Sequence, residues 1–162
     1  MTPKITITKS GPGLSQVRTR LRDLSRMDAL VGIPARTTLR RKDPINNASL
    51  LFIHTNGSPA RGIPARPVIE PAIAANGNKQ QIAAELKDAA KAALQGDVNT
   101  AYTALDRAGL AGENASKQWF TDPRNNWAPN APSTIRRKGS NRPLIDTGAL
   151  RRAITHVVRK VR

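Results

Sequence analysis

Two helical stretches in succession, joined by Gly96-Asp97, constrain this chain more than any other feature. From Lys79 to Gln95 the sequence is rich in alanine, and Ile82, Leu86, Ala89 and Ala93 recur on one face, so the spacing predicts a helix. Gly96 is a natural C-terminal stop and Asp97 a natural cap for the helix that follows. That second helix carries Val98, Ala101, Tyr102, Leu105, Gly109, Gly112, Trp119 and Phe120 on one broad face. Gly109 and Gly112 either allow close helix packing or mark a kink, and the pattern alone leaves both readings open.

Weaker signals surround this pair. Lys4 to Thr8 alternates apolar and polar residues, which reads as a half-buried strand ended by Gly11-Pro12-Gly13. Leu14, Val17, Leu21 and Leu24 then fall on one face of a helix, with Arg18, Arg22 and Arg26 on its flank. Leu30 to Ile33 reads as a short strand stopped by Pro34, Arg36 to Pro44 as a basic loop, and Asn46 to His54 as a short helix. The run from Gly62 to Pro71 is punctuated by prolines and reads as extended, unsuited to a central strand. Gly32-Ile33-Pro34-Ala35-Arg36 recurs as Gly62-Ile63-Pro64-Ala65-Arg66, but the flanks differ, so these are two separate extended segments and not a repeat.

Asp122 to Asn141 reads as a long polar loop. The tail from Ala153 to Val161 reads best as a strand, although Ile154, Val157, Val158 and Val161 do not alternate, which leaves two-sided burial or a helix open. The elements together predict one α+β domain over 1–162: a small antiparallel sheet packed with two to four helices, plus extended proline-rich and basic loops or arms at 34–48, 56–78 and 122–143. Only 3% of residues are aromatic, and 12 prolines accompany 11 glycines, so part of the chain is expected to order against a partner.

Charge narrows the partners. The formal charge is +16, concentrated through Lys42, where Asp23 and Asp28 are the acids set against it, and from Arg124 onward, where Asp146 is the sole acid. Such ends attract phosphates, acidic protein surfaces or anionic membranes, and charge alone does not choose among them. The candidate contact residues are Arg18, Arg22, Arg26, Arg40, Arg41, Lys42, Arg136, Arg137, Lys138, Arg151 and Arg152. The lack of cysteine suits a reducing compartment, and no apolar run is long enough to span a membrane, so no membrane partner is expected.

Catalysis finds no support. His54 and His156 are too few and too isolated for a metal site, and each reads better as a satisfied or exposed structural histidine. Ser10-Gly11-Pro12-Gly13 lacks the lysine and hydroxyl of a phosphate-binding loop. The acids Glu70, Glu85, Asp88, Asp97, Asp106 and Glu113 lie mostly on helices beside Lys or Arg, as solvated faces and caps do, so no acid/base pair stands out. No enzymatic role and no cofactor is expected.

Near the C-terminus, Trp127, a basic linker and Pro143-Leu144-Ile145-Asp146-Thr147-Gly148-Ala149-Leu150 precede the final strand. Pro143 makes the segment a rigid corner, Leu144, Ile145 and Leu150 pin it, and Asp146 or Thr147 can cap a short turn starting at Gly148. This arrangement resembles the closing signature of the tail-completion, or neck, proteins of tailed bacteriophages. The run from Ile53-His54 through Gly57 to Ile63-Pro64-Ala65-Arg66-Pro67 is similar to that family's second signature, with Thr55 where an acid is common and Val68 where an aromatic is common. The resemblance implies a structural virion protein, assembled in the host cytoplasm into a homo-oligomeric ring, a hexamer or dodecamer, at the head-to-tail joint. Its implied partners are the portal or head-tail connector and the tail terminator or tail tube, with contact to packaged DNA a further option. Trp127, Pro143, Asp146, Thr147, Gly148 and Leu150 are the residues of its structural motif. A general basic nucleic-acid-binding protein is the alternative, supported by a pI near 11.6.

Overall fold

A computed structural model describes residues 13–34 and 45–161. The strand expected at Lys4 to Thr8, most of the 34–48 segment, and Arg40, Arg41 and Lys42 lie outside those residues. The described elements are α1 (Leu14–Leu24), β1 (Met27–Gly32), α2 (Asn47–Asn56), α3 (Ile69–Ala74), α4 (Asn76–Gln95), α5 (Val98–Trp119), α6 (Pro132–Lys138), α7 (Ala149–Ala153) and β2 (Thr155–Lys160). The class is α+β, with a two-stranded antiparallel sheet and seven α-helices among the described residues.

The α4–α5 hairpin forms as its sequence requires. Gly96 takes a left-handed φ of 86°, and its N–H returns to the carbonyls of Ala92 and Ala93. The Asp97 carboxylate accepts from the Thr100 N–H at 3.0 Å and from the Thr100 hydroxyl at 2.6 Å, capping α5. Ala89, Ala92 and Ala93 on α4 are buried, as are Ala101, Ala104 and Leu105 on α5, so small side chains let the two helices approach closely. Val98, Leu86 and Tyr102, placed on the apolar faces by spacing, remain largely exposed. Arg20 of α1 donates to the Leu94 carbonyl at 2.7 Å, setting a cation at the C-terminal end of α4.

The sheet packs on α5. β1 and β2 pair from Met27↔Lys160 to Gly32↔Thr155. A Cβ on Gly109 would come within 2.7 Å of the His156 ring, and one on Gly112 within 2.9 Å of Val31 Cγ2. These glycines therefore admit the sheet; α5 runs uninterrupted through both. The inward residues Ile154, His156 and Val158 alternate with Val157, which is 52% exposed. The alternation was hidden in the sequence because the middle inward residue is a histidine.

Three stretches read as extended contain helix. The 56–78 segment holds a short 3-10 turn (Pro59–Arg61), α3 and the start of α4. Pro71 is the third residue of α3, where its missing N–H has no intrahelical acceptor to lose. The 122–143 segment holds a second 3-10 turn (Pro123–Asn125) and α6, in which Pro132 opens the first turn. α7 ends on Ala153, the first residue of the expected tail strand, and β2 begins at Thr155.

Candidate functional site: a cationic cleft where two signatures meet

The two stretches that carry the family resemblance lie far apart in sequence and pack into one corner. α2 begins with the Asn46 side chain accepting from the Ser49 N–H at 2.8 Å and ends at Gly57, whose φ is 72°. Ser58 and Ile63 exchange backbone hydrogen bonds of 2.8 and 3.0 Å around the Pro59–Arg61 turn. The Arg66 N–H then donates to the His54 carbonyl at 2.6 Å, laying Ile63 to Arg66 against the end of α2.

Arg66 binds this run to the C-terminal signature. Its side chain is buried and donates to the carbonyls of Ala128, at 3.1 and 2.9 Å, and Pro129, at 3.0 Å. In the reverse direction, Trp127 Nε1 donates to the Pro67 carbonyl at 3.1 Å, and its ring meets Phe120 edge to face at 5.9 Å. Beneath lies a core of Leu51, Val68, Ala72, Trp119, Phe120, Leu150 and Ile154. The tail corner sits on it: Leu150 is buried, while Leu144 and Pro143 are half-buried. Leu144 holds a left-handed φ of 56°, a conformation that a leucine adopts only when its surroundings enforce it.

The capping expected of Asp146 or Thr147 falls to Thr147, whose hydroxyl accepts from the Ala149 N–H at 3.3 Å. Asp146 is exposed and makes no such bond; Gly148, with φ 76°, is the residue preceding α7.

Between these parts opens a cleft of about 950 Å³. Leu50, Ile63, Pro64 and Leu144 give it apolar walls, while Arg66, Arg137, Lys138 and His54 make it cationic, with Asp146 the one acid on its lining among the described residues. Arg137 and Lys138 lie in the last turn of α6, a favourable place for cations beside the helix carbonyls. Lys138 Nζ donates to the Arg142 carbonyl at 2.9 Å. Burial holds the Lys138 ammonium below its ordinary pKa, and the positive charges of Arg66 and Arg137 add to that depression against the pull of Asp146. His54 is held below its ordinary 6.5 by burial first, then by Arg66 and Lys138. Its Nδ1 and the Asn130 Nδ2 on the same lining are buried without a hydrogen-bond partner among the described residues. Burial also lowers the pKa of Arg66.

The remaining contact candidates are scattered. Arg18 and Arg22 are exposed on α1 with Arg26 just beyond it, and Arg136 points outside the cleft, as do Arg151 and Arg152 on α7. Arg66 and His54, which complete the cationic lining, were not among the expected contacts. The Arg-Pro step in the second signature marked the stretch, but nothing local in it reveals that Arg66 turns inward.

The other histidine is satisfied. His156 Nδ1 lies 2.6 Å from Glu113 and Nε2 3.3 Å from Asp106. Burial opposes ionisation of Glu113, yet hydrogen bonds from Lys117 and His156 outweigh it and hold that carboxyl below its ordinary value. Among the described residues no group of three or more His, Cys, Asp or Glu side chains is placed to hold a metal, and no helix is long and apolar enough to cross a membrane. No known protein family, curated protein or solved structure matches the chain.

Proposed function

We propose that this chain is a structural subunit of a tailed-phage neck, forming a homo-oligomeric ring that joins the head connector to the tail. The observation that carries this reading is the meeting of the two neck-protein-like signatures, through Arg66 and Trp127, in a single latched corner. These hydrogen bonds span about sixty positions of chain and tie the two signatures to each other as parts of one motif. Exposed apolar side chains support a subunit that meets others: Leu14 is 91% exposed and Phe52 70%, and Leu30 and Val157 pair on the outer face of the sheet. The ring is assigned to the virion, and its basic surfaces to acidic faces of neighbouring rings. Tight binding of transiting DNA would hinder passage of the genome, because each neutralised phosphate adds affinity.

The exposed Arg18 and Arg22 favour a second reading, a nucleic-acid-binding protein that works through phosphate contacts. Negative-stain imaging of the purified chain, alone and mixed with virion components, separates the two. Closed rings seated on a connector or tail end support the neck role. A persistent monomer that binds duplex DNA at physiological salt and no virion part would sink it.

A further inference from the structure

We propose that the cleft between α2, α6 and α7 is a receptor for a short acidic peptide segment of a partner protein, with apolar residues interleaved among its carboxylates. The inference deepens the joining role by naming the partner's chemistry, and it rests on that role only in taking the partner to be a protein.

Three observations point to this occupant. The first is uncompensated charge. Among the described residues, Arg66, Arg137 and Lys138 line the cleft against Asp146 alone, and Arg66 gives its hydrogen bonds to backbone carbonyls and to no carboxylate. The second is the mixture of surfaces. Leu50, Ile63, Pro64 and Leu144 supply apolar wall beside those cations, which suits side chains of both kinds from one extended segment. Its size, about 950 Å³, is at the upper end of the usual range for a ligand site and too compact for a duplex track. Among the described residues no Phe, Tyr or Trp side chain lines it, so it lacks the row of large aromatic rings on which single-stranded nucleic acid stacks. The third is unmet hydrogen bonding. Asn130 is only 7% exposed, yet among the described residues its amide Nδ2 has no acceptor, and a donor left unsatisfied in a folded interior is costly. A carboxylate or peptide carbonyl entering the cleft is the chemistry that can supply one. Burial is the main cause that lowers the pKa of His54, and the same Arg66 and Lys138 charges lower it further.

The test uses the full chain and a fluorescein-labelled octapeptide of alternating leucine and glutamate, read by anisotropy. Arg137→Glu with Lys138→Glu is expected to weaken binding by more than about tenfold, whereas the charge-matched pair Arg18→Glu with Arg22→Glu on α1 changes it by less than about twofold. Replacing the peptide's leucines by serine is expected to cost about fivefold or more, since the apolar walls then gain nothing. Should the glutamate pair disturb folding, Arg137→Gln with Lys138→Gln keeps the test, and the Asn130 side-chain amide signal, followed by NMR during titration, reports occupancy directly. Equal losses from the cleft and α1 pairs, undiminished binding of the serine peptide, or an unmoved Asn130 amide at saturation would overturn the proposal. So would tighter binding of a single-stranded oligonucleotide abolished by the cleft pair. Peptide binding that follows the expected pattern while imaging finds no ring would uphold the cleft and remove the neck role; rings without peptide binding would do the reverse.

Discussion

In the α4–α5 hairpin, the residues that touch are announced by their spacing: alanines recur along one face, a glycine ends the first helix and an aspartate caps the second. At the corner, by contrast, Arg66 reaches carbonyls 62 and 63 positions away, and Trp127 reaches one 60 positions back. The hairpin is held by burial of many small side chains, each contributing little and none indispensable. The corner is held by a few side-chain donors that satisfy proline-rich backbone, which forms little ladder of its own. A frame built on repetition tolerates change; a latch built on single residues does not, but it leaves walls that can be shaped into a cleft.

The largest expected effect comes from opening the latch. Arg66→Met retains the aliphatic stem but leaves the Ala128 and Pro129 carbonyls without their donor, and is expected to cost about 2–4 kcal/mol by urea unfolding. If it costs less than about 0.5 kcal/mol, the corner is held by packing and the contrast with the hairpin fails. Next, Gly109→Ala brings a methyl against the His156 ring and is expected to cost about 1–3 kcal/mol, while leaving the acidic peptide's affinity unchanged because the cleft is not touched. Loss of both stability and peptide binding would show that frame and corner are not separable.

Acid should separate the regions further. A histidine whose folded pKa is depressed takes up its proton more readily when unfolded, so its contribution is present above about 6.5 and is lost as pH falls toward the folded value. Glu113 follows the same direction for a different reason: its carboxylate is favoured in the fold, and that stability is lost only as pH falls below 4.5. The pH dependence of stability of the native chain and of His54→Gln, compared from pH 8 to pH 4, should therefore agree in slope above about 6.5 and diverge as pH falls below it, until His54 is protonated in the folded chain as well. Parallel curves throughout would remove His54 from the account. The smallest effect is expected on α1, where Arg18→Ser with Arg22→Ser should alter stability by no more than about 0.5 kcal/mol, because both side chains are exposed.

What was legible in the sequence follows the same division. The hairpin, its glycine stop and its aspartate cap could be read because periodicity and capping are local. β2 was legible only in part, since His156 occupies an inward position and is made acceptable there by Glu113 and Asp106 on a different element. The helices α3 and α6 were missed because prolines that signal extended chain in isolation are compatible with a first helical turn. Of the cleft, the C-terminal wall was visible as Arg137, Lys138 and the turn at Gly148. Arg66 and His54 were not expected as part of the cationic lining, because their inward orientation depends on contacts that no local pattern encodes. Asp146, expected to share in capping, instead lines the cleft.

The central claim is that the corner receives a partner while the hairpin serves as its frame, and hydrogen exchange by mass spectrometry, with and without saturating acidic octapeptide, tests it most directly. The account predicts slowed exchange in peptides covering Gly62 to Arg66 and Thr134 to Leu150, with exchange in α4 and α5 unchanged. Protection confined to α1, or spread evenly over the hairpin while the corner exchanges as before, would contradict it.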